Sequence, residues 1–204
     1  MQVLFWILSL LIGYFLGTFN GALLISRGLM HDDVRTHGSG NAGLTNFFRT
    51  YGGVQTLLVV VIDMLKCILA CQIAAWLLPD QALYAKLAAG FACVLGHSYP
   101  VTENFRGGKG ILCGSAVGLM ISPKIYAIIM TVFIVVVLVT RLVSLGSILA
   151  TTSFVICVFV FHWGDWPACL LALAIGSFVI ARHHANIRRL LHGTESKLTF
   201  HKKK

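Results

Sequence analysis

Seven apolar runs follow one another along the chain, at residues 3–25, 54–78, 82–96, 111–122, 125–140, 145–162 and 166–181, and the polar residues gather between them. Such runs predict transmembrane helices, because a helix needs about 20 predominantly apolar residues to cross the hydrocarbon core. The third, fourth and fifth are short for a full span and are expected to be tilted, broken or partly re-entrant, with five crossings as the alternative count. The first run has no cationic leader and no small-residue cleavage site, so it is expected to stay as the first helix. The predicted fold is therefore an all-α membrane protein, a single domain over residues 1–204 built as a bundle of about seven transmembrane helices.

Composition agrees with that pattern: 57% of residues are hydrophobic, 11% are charged and the mean hydropathy is +0.85, which excludes an ordinary soluble domain. The formal charge of +9 in so apolar a chain points to Lys and Arg retained on one membrane face rather than to nucleic acid. With the N-terminus outside, the inner segments hold Arg27, Arg35 and Arg49, then Arg106 and Lys109, then Arg141, and finally Arg182, Arg188, Arg189, Lys197 and Lys202-Lys203-Lys204. Outside lie only Lys86 and Lys124, with Lys66 inside the second run. The positive-inside rule thus predicts the N-terminus outside and the C-terminus in the cytoplasm. All six cysteines sit in or at the ends of apolar runs without CxxC spacing, and read as small packing residues.

This topology puts three polar, glycine-containing clusters, 35–52, 96–110 and 182–195, on one face, where they can converge. In the first, Gly38, Gly40 and Gly43 allow consecutive N–H groups to turn toward one anion, Ser39, Asn41, Thr45 and Asn46 add side-chain partners, and Arg49 offers a fork suited to phosphate. Alone, GSGN is equally a glycine-rich turn. The second carries His97 and then Phe105-Arg106-Gly107-Gly108-Lys109-Gly110 directly before an apolar run, which combines free amides, the positive end of a helix dipole and a lysine. Its spacing is not that of a Walker A loop. In the third, a helix continuing inward would put His183 and Asn186 on one face and leave Arg188 and Arg189 to lipid headgroups. Lys202-Lys203-Lys204 reads as a plain basic tail. Asp63 and Lys66, three residues apart inside the second run, are expected to pair and to support the site. Arg141 reads as a topology signal and Ser144 as a member of the site.

Three motifs in order, GSGNAGLTNFFR, GHSYPVTENFRGGKG and RHHANIRRLLHGTE, resemble the bacterial acyl-phosphate-dependent glycerol-3-phosphate acyltransferase family, over nearly the whole chain. The resemblance implies a seven-helix enzyme of the bacterial inner membrane, working at the cytoplasmic face. It would move a fatty acyl group from acyl-phosphate to the 1-hydroxyl of glycerol 3-phosphate, giving lysophosphatidic acid and phosphate for phospholipid synthesis. It further implies Ser39, Arg49, Lys109, His183 and Asn186 as phosphate-binding residues, with Thr45, His97 and Ser144 nearby. The chain departs from the family pattern at His184-Ala185, where Arg and Glu are usual, and at Asn20, where proline is frequent.

The expected catalytic set is Ser39, Arg49, Lys109, His97, His183 and Asn186. The expected substrate-binding set is Gly38, Gly40, Asn41, Thr45, Asn46, Gly107, Gly108 and Ser144. Seven acids, no aspartate-rich cluster and no HxxxxD pattern argue against a metal, a cofactor or an acyl-CoA mechanism with a histidine base. Positioning and charge stabilisation suffice for an activated anhydride, with a substrate phosphate oxygen, or alternatively His97, taking the hydroxyl proton. The competing reading is a small transporter of phosphate or lipid-phosphate anions. The expected partners are acyl-phosphate, glycerol 3-phosphate and membrane lipids, with a monomer as the simplest state.

Overall fold

The computed structural model describes residues 1–198, and the predicted basic tail at Lys202-Lys203-Lys204 lies outside them. Every regular element among the described residues is helical: α1 (Gln2–Thr18), α2 (Gly21–Gly28), α3 (Leu44–Tyr51), α4 (Gln55–Leu77), α5 (Ala82–Ser98), α6 (Ile111–Ile121), α7 (Pro123–Thr140), α8 (Val143–Phe161), α9 (Trp166–Ala181) and α10 (His184–Leu191). The seven apolar runs all become helix, but the first is broken at Phe19 and Asn20 into α1 and α2. By length and composition four stretches can cross a membrane: Gln2–Gly28, α4, α7 and α8. The pair α9 and α10, bent by 60°, makes a fifth. Short α5 and α6, with 17 and 11 residues, account for the difference from the expected seven.

α5 is short yet lies at the centre of the bundle, packed on α1, α4, α6 and α9. Its Ala89, Ala92, Cys93 and Gly96 give it a surface of small residues, and α1 meets that surface with Gly13 and Gly17. A Cβ on Gly13 would lie 2.5 Å from the Ala89 carbonyl oxygen, and one on Gly17 would run into that of Cys93. Such small-residue faces let backbones approach closely, which is how helices associate where lipid removes the hydrophobic incentive. All six cysteines are free and buried, as packing residues should be.

The helices run back and forth, so the segments before α4, between α5 and α6, between α7 and α8, and after α9 share one end. Hydrogen bonds tie that end together: Arg49 Nη2 donates to the Ser196 carbonyl (2.8 Å), Arg182 Nη2 to the Gly108 carbonyl (3.1 Å), and the Leu198 amide to the Arg141 carbonyl (2.7 Å). The opposite end carries all four tryptophans, Trp6, Trp76, Trp163 and Trp166, the last three well exposed, as in an interfacial aromatic belt. α6 and α7 fold back on each other at Ser122. At 1.5 Å per residue α6 rises about 16 Å and α7 about 27 Å, so the start of α6 lies about 10 Å deeper in the bundle than the end of α7. The polar end of the protein is therefore a recess.

Candidate active site

The break between α1 and α2 frees backbone groups inside the bundle, where water cannot satisfy them. Lys66 and Asp63 of α4 fill that gap. Lys66 Nζ donates to the carbonyls of Gly17 (3.1 Å) and Phe19 (2.9 Å) and pairs with Asp63 Oδ1 at 2.8 Å, while Asp63 Oδ1 accepts the Gly21 amide at 3.0 Å. His97 Nδ1 lies 2.9 Å from the same ammonium. Nδ1 also lies 3.5 Å from Asp63 Oδ1, so it is engaged whether it accepts from the ammonium or donates to the carboxylate, and Nε2, which lies against Gly108, is left to carry a proton. His97 is thus built as a donor, and the expected alternative of His97 as the base finds no free lone pair.

Asn20, also at the break, caps α2 by accepting the Leu23 amide (3.1 Å) and donates its own amide to the Ala42 carbonyl (3.0 Å). It thereby fixes the end of the first polar loop from below. From above, Asn46 braces the same loop: Oδ1 accepts the Ser39 amide at 3.0 Å, and Nδ2 donates to the carbonyls of Val34 (2.9 Å) and His37 (3.1 Å). Both ends of Asn46 are engaged within the protein, so it shapes the site rather than serving as the expected ligand. A Cβ at Gly38, which has φ +54°, would strike Asn46 Oδ1, so only glycine suits that position.

The expected row of free loop amides is not there. Ser39 N–H goes to Asn46, Gly40 N–H to the His37 carbonyl and Gly43 N–H to the Asn41 carbonyl; in the second loop Gly107 and Gly108 donate to the carbonyls of Ser98 and His97 at the end of α5. Compact loops satisfy their own backbone first. Free amides come instead from two helix starts: α3 begins after Gly43 and α6 after Gly110, both without a side-chain cap, and both first turns line one cavity. Each brings unpaired N–H groups and the positive end of a helix dipole.

That cavity has a volume of about 320 Å³. All three sequence clusters reach it, through Ser39, Asn41, Thr45, Asn46 and Arg49, through His97 and Lys109, and through His183, Asn186 and Arg189; Ser144 of α8 lines it too. Gly40 and Gly107 line a neighbouring cavity, and Gly38 and Gly108 line neither. Below the polar end the walls become apolar, with Met64 of α4, Leu112 of α6, Met130 and Phe133 of α7 and Phe154 of α8. From Ser144 to Phe154 the groove runs ten residues along α8, about 15 Å.

Lys109 sits half-buried and donates to Asn186 Oδ1 at 2.5 Å. Burial, together with the nearby Arg189, Arg182 and Arg49, pushes its ammonium down to about 8. His183 does not continue α9; it stands at the 60° bend as the residue before α10. Its Nδ1–H donates to the Val179 carbonyl (2.8 Å), which leaves a lone pair on Nε2 of the neutral ring. The Ser144 hydroxyl is buried in the wall close to Glu195 but has no well-aligned partner.

Two members were missed. Glu195 accepts from Asn186 Nδ2 (2.8 Å) and from Arg189 Nε (2.6 Å), which fixes the Asn186 amide so that its oxygen faces Lys109. Burial pushes the Glu195 carboxyl up, but the hydrogen bonds from Asn186 and Arg189 outweigh it and hold the group below the usual range. Arg189, expected to face headgroups, turns inward to that carboxylate; Arg188 stays exposed. The bend before α10 causes the change, because it rotates the basic face over the cavity.

A sequence profile described as Glycerol-3-phosphate acyltransferase matches residues 7–193. The chain belongs to the glycerol-3-phosphate acyltransferase family. It is 37% identical over 192 residues to the glycerol-3-phosphate acyltransferase of Thermoanaerobacter sp. (strain X514) and 40% identical over 191 residues to that of Geobacillus kaustophilus, in each case covering 94% of this chain and 95% of the relative. The fold is similar to that of PlsY (YgiH), an integral membrane glycerol 3-phosphate acyltransferase, in two crystal structures. The glycerol 3-phosphate form gives a TM-score of 0.88 at 34% identity, over 95% of this chain and 96% of that one. The lysophosphatidic acid form gives 0.85 at 32%, over 95% of both. As a member of this family the chain is an integral membrane acyltransferase, and the transporter alternative falls away.

Proposed function

We propose that this enzyme transfers a fatty acyl group from acyl-phosphate to the 1-hydroxyl of glycerol 3-phosphate, as one monomeric unit in a bacterial inner membrane with its site toward the cytoplasm. The observation that carries the reading is one cavity with two chemistries: Arg49, Lys109, Arg189 and two uncapped helix starts at its polar end, and an apolar groove below. A substrate whose phosphate and alkyl chain are joined end to end fits that succession. The concentration of arginines at this end supports the cytoplasmic orientation.

In the reaction the hydroxyl oxygen attacks the acyl carbon, the bond from that carbon to the phosphate oxygen breaks, and phosphate leaves with the electron pair. Lys109 and Arg49 neutralise charge that grows on the departing phosphate, and the helix starts of α3 and α6 supply fixed donors. His183 Nε2, a lone pair at a neutral ring, accepts the hydrogen bond of the attacking hydroxyl and aims it. The proton passes to an oxygen of the leaving phosphate. Asn186, fixed by Glu195, holds Lys109 in place.

Purified protein given glycerol 3-phosphate with either acyl-phosphate or acyl-CoA tests the donor. Lysophosphatidic acid and stoichiometric phosphate should form with acyl-phosphate only; equal turnover of acyl-CoA would sink the donor assignment.

A further inference from the structure

Beside the reaction cavity lies a second one of about 830 Å³, lined by Arg35, Arg106, Arg182, Asp33 and Glu103 and sharing Ser39 and Asn41 with the first. Its charges are not equivalent. Arg27 and Arg35 both bridge Asp33 and Glu103, at 2.7 to 3.2 Å, and the guanidinium of Arg35 holds Asp33 well below the usual carboxylate range. Those four groups neutralise one another and pin the first polar loop to the second. Arg106 and Arg182 have no carboxylate partner among the described residues. Arg182 is nonetheless fixed, by its hydrogen bonds to the Tyr99 hydroxyl (3.2 Å) and the Gly108 carbonyl (3.1 Å) and by stacking 4.7 Å over the Tyr99 ring. Arg106 is exposed and lines the same cavity.

The reaction cavity is apolar on its membrane side, and its polar mouth is crossed by residues 194–198, tied to Arg49, Arg189 and Arg141. A small doubly charged anion gains nothing from the apolar walls and meets a tied strap at the mouth. The second cavity offers it unneutralised cations and a direct junction at Ser39 and Asn41.

We propose that the second cavity is an aqueous vestibule for small phosphate-bearing anions, with Arg106 and Arg182 drawing glycerol 3-phosphate toward the reaction cavity and giving inorganic phosphate a way out. The proposal rests on the functional reading above. It divides traffic by chemistry: the acylated molecules move along the apolar groove and the water-soluble ones through the cationic vestibule. A cleft with one sign of charge concentrates its counter-ion and raises the capture rate, an effect that salt screens.

Arg106→Glu tests it, since the Arg106 side chain makes no contact that holds the fold. The KM for glycerol 3-phosphate should rise about tenfold at low ionic strength and converge on the wild-type value in high salt, while kcat and the KM for acyl-phosphate stay within about twofold. Inhibition by inorganic phosphate should weaken in parallel; a raised KM with unchanged phosphate inhibition would confine the vestibule to the incoming substrate and overturn the exit half. Arg188→Glu makes the same charge change on the same face outside both cavities and should leave the KM unchanged. An unchanged KM in Arg106→Glu, or an equal rise in Arg188→Glu, would overturn the proposal. Equilibrium binding of labelled glycerol 3-phosphate needs no acyl donor. Weakened binding in Arg106→Glu alone would uphold the vestibule even if acyl-phosphate proved to be the wrong donor.

Discussion

Lys66 and Lys109 are both removed from bulk water, and their surroundings differ in one decisive respect. Lys66 is surrounded by partners: two carbonyls of the broken first helix, the Asp63 carboxylate and Nδ1 of His97. Three ammonium hydrogens have at least three protein partners, so nothing is left for a ligand. Among the described residues Lys109 has one hydrogen bond, to Asn186, and its neighbours Arg189, Arg182 and Arg49 repel it against the pull of Glu195. A saturated lysine holds a fold together, whereas an unsaturated one among like charges is poised for an anion. The molecule keeps its structural charge deep among α1, α4 and α5 and places Lys109 in the recess at the start of α6.

The largest effect should come from Lys66→Met, which leaves the Asp63 carboxylate buried without its partner and the Gly17 and Phe19 carbonyls without donors. Breaking such a pair costs about 3–5 kcal/mol, so little folded protein should survive extraction, as judged by gel filtration in detergent. A well-folded Lys66→Met would erase the distinction between the two lysines. Glu195→Ala comes next: it frees the Asn186 amide and should lower kcat by about 10- to 100-fold through misplacement of Lys109. Glu195→Gln keeps an acceptor for Asn186 and should recover much of that loss. Asn20→Ala removes the α2 cap and the tie to Ala42, for about 1 kcal/mol of stability, read as a small drop in the thermal midpoint.

The pH dependence sharpens the contrast most finely. In the proposed mechanism Lys109 must be protonated to hold phosphate, and its ammonium lies lower than an ordinary lysine, at about 8. The kcat/KM, which reports the free enzyme, should therefore be sustained below that value and fall about tenfold per unit above it. Arginine keeps its charge, so in Lys109→Arg the residual activity should show no fall near 8.

Much of this was legible in the pattern of residues. Seven apolar runs became helices, and the three polar clusters met, because hydropathy and loop charge act over long stretches. What escaped was local. The stretch 44–51 lies within the polar cluster 35–52, yet Leu44, Phe47, Phe48 and Tyr51 carry the helical spacing of α3. The amides of Ser39, Gly40, Gly107 and Gly108 looked free, since sequence cannot show which carbonyl a turn has already engaged. Asn46 looked like a ligand and is a brace. Glu195 joined the site only through the bend before α10, and Asn20 only through a break in the first helix, at Phe19 and Asn20, inside a stretch long and apolar enough to read as one run.

Lys109→Ala tests the central claim most directly, with phosphate release and thermal midpoint measured on the same preparation. The account predicts that the midpoint stays within a few degrees of the parent protein while release falls by at least about 10²- to 10³-fold, the scale of losing a donor to developing charge. Near-normal release from a folded Lys109→Ala would contradict it.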